Sequence, residues 1–85
     1  MKNHDVKLYA LTTCIHCRDT KEFLDKCGVE YDCVDVDKLE IEERRQLIEE
    51  IKARNPGCAF PMLLIGPKVI IGFKKEEIRE ALNLQ

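Results

Sequence analysis

The segment Val6-Lys-Leu-Tyr-Ala-Leu-Thr-Thr-Cys-Ile-His-Cys17 changes its periodicity once, and most of the architecture follows from that change. Across residues 5–11, Val6, Leu8 and Ala10 alternate with Lys7, Tyr9 and Leu11, the period-two pattern of a strand with one better-buried face. From Cys17 onward, Thr20, Phe23, Leu24 and Cys27 recur at three- and four-residue spacing, which predicts a helix. Thr12 or Thr13 is placed to cap its start, and Gly28 to end it at the C′ position. Cys14 and Cys17 therefore stand where the first strand hands over to the first helix.

Downstream, residues 29–36 are rich in β-branched and aromatic side chains and predict a second strand. Asp37 with Glu40 three residues later has the form of a capping box, and Ile41, Leu47, Ile48 and Ile51 supply an apolar stripe for a second helix. Asn55-Pro56-Gly57 ends that helix, because proline has no N–H to donate and pushes the preceding residue out of helical geometry. Residues 61–65, a Gly66-Pro67 turn and residues 68–71 form a strand hairpin, and a last helix follows with Ile78, Ala81 and Leu82 on its inner face. The order β-α-β-α-β-β-α requires a parallel first pair joined by a right-handed crossover and an antiparallel last pair. The expectation is an α/β, thioredoxin-like fold: a four-stranded mixed sheet flanked by three helices, one domain over residues 1–85.

Composition narrows the function classes. Charged residues make up 35% of the chain, above the usual ~25%, which implies a well-solvated surface. A formal net charge of -2 offers no basic footprint for nucleic acid, and no apolar run suggests a membrane span. Lys2, His4, Asp5 and Lys7 interrupt the first dozen residues, so no export signal is expected. The five cysteines, Cys14, Cys17, Cys27, Cys33 and Cys58, are odd in number and irregular in spacing, unlike a secreted disulfide scaffold. A cytoplasmic setting is expected, where such a pair serves catalysis or metal binding.

Thiol–disulfide exchange requires a thiolate, and a free thiol pKa of about 8.5 leaves little of it at neutral pH. A sulfur at the first turn of a helix is favoured as the anion by the unpaired N–H groups and the helix dipole. Cys14 is thus read as the nucleophile, with Cys17, one helical turn on, as the resolving thiol. His16 between them is either a tuning imidazole for the thiolate or a solvent-exposed histidine. Ile15 reads as an exposed apolar contact for thiol substrates or as partial loop packing. Cys27 and Cys33 are expected to be small buried hydrophobes.

Over nearly its full length the chain resembles the glutaredoxin family, and three features carry the likeness: the Cys14/Cys17 pair after the first strand, Phe60-Pro61 before the third, and Gly72-Phe73 before the last helix. The resemblance implies a cis Pro61 facing the dithiol, with Phe60 offering backbone contacts to a substrate. It also implies a groove for substrate or glutathione made by Thr13, Ile15, Phe60, Pro61, Gly72, Phe73 and Lys74. Two positions depart from the family pattern. Ile15-His16 replaces the usual Pro-Tyr, and Leu11 stands where the family usually carries a lysine.

The implied activity is reduction of protein disulfides or glutathionylated proteins, with glutathione as co-substrate and no tightly bound cofactor or metal. The electron source is glutathione or thioredoxin reductase. The alternative is a carrier in which Cys14 holds an iron–sulfur cluster with an external thiol. A third reading gathers Cys14, Cys17 and Cys58 with His16 or Cys33 around zinc. Cys58, three positions before Pro61, is read either as a second resolving thiol or as a loop cysteine without a role.

Overall fold

Alternation along the first strand sends Val6, Leu8 and Ala10 into one apolar cluster and Tyr9 into another, on the opposite face of a sheet. In a computed structural model of the chain, which describes residues 6–83, this strand is β1 (Val6–Ala10). It is followed by α1 (Ile15–Lys26), β2 (Asp32–Asp35), a 3₁₀ turn (Val36–Lys38), α2 (Ile41–Arg54), β3 (Met62–Ile65), β4 (Lys68–Ile71) and α3 (Lys75–Ala81). The predicted element order is the observed one. Asp5, included in the predicted first strand, lies outside the described residues.

The strands are ordered β2-β1-β3-β4. β1 pairs in parallel with β2, from Lys7 opposite Asp32 to Ala10 opposite Asp35. It pairs antiparallel with β3, with Leu8 opposite Leu63 and Tyr9 opposite Met62. β4 closes the far edge, with Ile70 opposite Leu63 and Val69 opposite Leu64. This register keeps like faces together. Leu8, Leu63 and Ile70 join Leu24 of α1 and Ile78 of α3, while Tyr9 and Met62 join Ile51 of α2. Both faces of the central strands are therefore covered, and each fully buried aliphatic side chain contributes roughly 1.5–3 kcal/mol through removal from water.

Five expectations are corrected. The second strand is half the predicted length, because residues 28 and 29 are still bonded to the end of α1: the N–H groups of Gly28 and Val29 donate to Asp25 and Leu24. Gly28 sits at φ 71, the left-handed conformation a helix stop requires. Cys33 is exposed rather than buried, since β2 is an edge strand and α1 sets Lys21, paired with Asp35 at 3.1 Å, over that part of the sheet. Cys27 caps the end of α1 and is only partly buried.

The capping box does not form. Asp37 lies in the 3₁₀ turn with its carboxylate bonded elsewhere, and α2 starts at Ile41 behind Glu40, whose side chain makes no cap bond. Ile41 does not join the packed apolar stripe. It sits about 80° around the helix from Ile51 at 3.6 residues per turn, in the first turn, and is 75% exposed. Leu47 and Ile48 do pack beside the buried Ile51.

These placements predict unequal costs of truncation along α2. Ile51→Ala should destabilise by about 2–5 kcal/mol, whereas Ile41→Ser should stay within about 0.5 kcal/mol of the parent. Urea unfolding followed by circular dichroism measures both.

Candidate functional site

After Ala10 the chain makes one tight turn, in which the Cys14 N–H donates to the Leu11 carbonyl at 3.2 Å. Cys14 leaves that turn with extended backbone (φ -93, ψ 120) and becomes the N-cap of α1. Its Sγ accepts the Cys17 N–H at 3.2 Å, and its carbonyl accepts the Arg18 N–H at 3.1 Å. A sulfur thus takes the place that a Ser or Asp oxygen usually occupies at a helix start. This corrects the expectation that Thr12 or Thr13 caps the helix. α1 has no acidic residue in its first turn, so the positive end of its dipole is not neutralised by a neighbouring carboxylate.

The two sulfurs differ in environment. Cys14 is half-buried at the edge of the cluster under α1, whereas Cys17 is 1% exposed within it. Burial pushes the Cys17 thiol up to about 12, assisted by the Cys14 sulfur, which shares a hydrogen bond with it and repels its anion. Cys17 is therefore held as a protonated thiol while Cys14 points a sulfur at a backbone donor. All five cysteines are free thiols.

The Phe60-Pro61 peptide is cis, as expected of that bond. The Pro61 carbonyl accepts the Gly72 N–H at 2.7 Å, one step beyond the last β3–β4 pair of Met62 and Ile71. Phe60 and Phe73 pack, like Cys14, against the cluster that holds Cys17, so these residues gather on one side of the molecule. Phe73 meets Phe23 of α1 edge-to-face at 6.0 Å, and the Lys75 ammonium lies 5.8 Å above the Phe23 ring. Gly72 has φ 91, which favours glycine there. Lys74 is the N-cap residue of α3 but supplies no side-chain cap, and Glu76 and Glu77 occupy the first turn.

Thr13, Ile15 and His16 are exposed, Ile15 to 65%. The His16 carbonyl accepts the buried Thr20 hydroxyl at 2.8 Å. Cys58 sits at φ 50 and packs against the cluster under α2, on the sheet face opposite Cys17. Among the described residues, no three His, Cys, Asp or Glu side chains come together as a metal ion would require, so the fold does not assemble the proposed zinc set.

Two contributors escape the sequence reading. Asp37 accepts the Thr12 N–H at 3.1 and 3.2 Å through its two oxygens and the Thr12 hydroxyl at 2.6 Å. Asn55, which the sequence marks only as a helix boundary, is 3% exposed and donates to the Ala59 carbonyl at 2.7 Å, while its own carbonyl accepts the Cys58 N–H at 2.8 Å. It thereby shapes the loop leading into Phe60-Pro61. A polar residue next to the Pro-Gly stop is the one signal that points to it.

The contrast between the sulfurs predicts selective silence at Cys17. In a Cys14→Ser variant, iodoacetamide at pH 8 should leave Cys17 unmodified, with labelling rising only at a pH well above the ordinary cysteine range. Peptide mass mapping across a pH series reads this directly. Burial, the largest cause of the shift, remains in the variant.

The geometry agrees with comparisons to known proteins. A model of the glutaredoxin family, described as Glutaredoxin, matches residues 6–70. A glutaredoxin-like 8.6 kDa protein of the rubredoxin operon of Clostridium pasteurianum is 32% identical over 78 residues, covering 92% of this chain and 97% of that one. The crystal structure of methanoredoxin from Methanosarcina acetivorans superposes with a TM-score of 0.92 at 38% identity, covering 99% of this chain and 90% of that one. A glutaredoxin from Methanosarcina mazei Go1 gives 0.86 at 41% identity, covering 96% and 87%. With its thioredoxin-like sheet and a Cys-x-x-Cys pair at the head of α1, the chain belongs to the glutaredoxin family, a family of thiol–disulfide oxidoreductases.

Proposed function

We propose that this protein reduces protein disulfides, or mixed disulfides between a protein and glutathione, by dithiol exchange in the cytoplasm. The observation that carries the reading is the asymmetry of the pair: Cys14 Sγ on the Cys17 amide at 3.2 Å, beside a Cys17 thiol that is 1% exposed and held protonated. In the first step the Cys14 thiolate attacks one sulfur of the substrate disulfide, and the other sulfur leaves as a thiolate that takes up a proton. In the second step Cys17 gives up its proton and attacks Cys14 Sγ, releasing the second substrate thiol and leaving a Cys14–Cys17 disulfide. Two electrons from glutathione or from thioredoxin reductase then restore the dithiol.

Each surrounding residue has a part in this scheme. Ile15, exposed beside Cys14, offers an apolar contact to the segment flanking the substrate sulfur, and Thr13 lines the approach. Phe60 presents its backbone next to Pro61 to an extended substrate chain. Gly72, Phe73 and Lys74 take a glutathione carboxylate, with Lys74 as the cation, and His16 lends positive charge toward the Cys14 thiolate. The raised Cys17 thiol keeps resolution from preceding attack, because a protonated sulfur is a poor nucleophile until the mixed disulfide brings an electrophile against it.

Cysteine variants test the order of events. Cys14→Ser should abolish turnover of a glutathionylated protein, and Cys17→Ser should attack once and then stall as a mixed disulfide visible in the intact mass. Turnover that survives Cys14→Ser would overturn the assignment. Assaying the unmodified protein with glutathione plus its reductase, and separately with thioredoxin reductase, identifies the electron source.

A further inference from the structure

The β1–β2 ladder ends at Ala10 opposite Asp35. Two residues further on each side, a continued parallel ladder would place Thr12 beside Asp37, but there the backbone has already entered the 3₁₀ turn Val36–Lys38. The Asp37 side chain makes the step that the backbone does not. Its two oxygens accept the Thr12 N–H at 3.1 and 3.2 Å, and one of them also accepts the Thr12 hydroxyl at 2.6 Å. Arg44 holds the other end of the clamp, donating from Nη2 to the carbonyls of Asp37 at 3.1 Å and Leu39 at 3.2 Å.

Thr12 is the first central residue of the turn that delivers Cys14, and that turn has one backbone bond of its own, Cys14 N–H to Leu11 carbonyl at 3.2 Å. We infer that Asp37 is a positioning residue for Cys14: by gripping Thr12 it locks the turn and keeps the Cys14 sulfur on the Cys17 amide. The inference rests on Cys14 being the attacking thiol of the proposed function. Charge-assisted bonds of this kind are stronger and more directional than neutral ones. The Thr12 hydroxyl and N–H also hold the Asp37 carboxyl below the usual carboxylate range, which keeps the clamp closed at neutral pH.

Positioning and simple charge act on the thiolate with opposite sign, so they separate experimentally. The variants are Thr12→Val, Asp37→Asn, the two combined, and Thr12→Ser. The readouts are the rate of Cys14 labelling by iodoacetamide at neutral pH, resolved by peptide mass mapping, and the position of the Cys14–Cys17 disulfide in a glutathione redox buffer. Thr12→Val and Asp37→Asn should each slow labelling by about threefold to tenfold, as expected for loss of a charge-assisted bond. Both should move the redox equilibrium toward the disulfide, since a less stabilised thiolate weakens the reduced form. The combined variant should be no slower than the slower single one, because both remove the same clamp. Thr12→Ser, which keeps the hydroxyl, should label at the parent rate.

Faster labelling in Asp37→Asn with no change in Thr12→Val would make Asp37 a mere nearby anion and overturn the proposal. Unchanged labelling in both variants, with only the unfolding midpoint lowered, would make the clamp purely structural and overturn it too. Thr12 is exposed, and the Thr12 series decides the matter alone if Asp37→Asn fails to fold. If Cys14 in the unmodified protein labels no faster than the exposed Cys33, the functional reading falls first, and the clamp with it.

Discussion

β1 is hydrogen-bonded along both edges, in parallel to β2 and antiparallel to β3, and buried on both faces except at Lys7. That double commitment is the constraint on which the rest of the molecule depends. A strand paired on both sides cannot slip by one residue without turning Leu8 and Ala10 away from α1 and Tyr9 away from α2. The end of β1 is therefore a fixed point in space, and a single turn separates it from Cys14. Reactivity placed so close to a rigid strand needs little further support, and the support it has comes through Asp37, in the 3₁₀ turn that follows the neighbouring strand.

The division of labour between the sulfurs arises from their places on α1. Cys14 stands outside the first turn, where a helix has N–H groups to spare, and Cys17 stands one turn inside, facing the core. The first position aims a backbone N–H at the sulfur, and the second takes the sulfur out of water and raises its thiol. No additional charged group is needed to set the two apart, since desolvation is the largest influence on Cys17. Phe60 and Phe73 pack against the same cluster as Cys17, and the cis Pro61 is joined to Gly72 by a backbone bond.

Particular misreadings show where local patterns lose their authority. Asp37 and Glu40 have the spacing of a capping box, but the Asp37 carboxylate is taken by Thr12, twenty-five residues away, and a window of four residues contains no trace of that competitor. Thr12 and Thr13 are better caps by type than cysteine, yet the turn brings Cys14 to the cap position. Cys33 has the character of a buried strand residue but falls on an edge strand overlaid by the Lys21–Asp35 pair. Ile41 has the spacing of the apolar stripe but falls in the first turn of α2, where it is 75% exposed. For Asp37 the deciding partner is distant in the chain, and for Cys33 and Ile41 the deciding factor is where the packed elements leave them.

By itself, the amino-acid sequence determined the element order, the switch from period two to period 3.6 at the cysteine pair, the break at Asn55-Pro56-Gly57 and the closing hairpin. It also determined the chemistry available at the strand-to-helix junction. These features depend on neighbours within a few residues, where sterics and backbone hydrogen bonding act directly. Tertiary structure alone decided which cysteine is buried, which residue caps α1, that Asp37 binds Thr12, and that Asn55 turns inward to hold the loop before Pro61. Burial and the choice of hydrogen-bond partner are properties of the packed chain: they depend on which groups the sheet and helices exclude from water, and no local window records that exclusion.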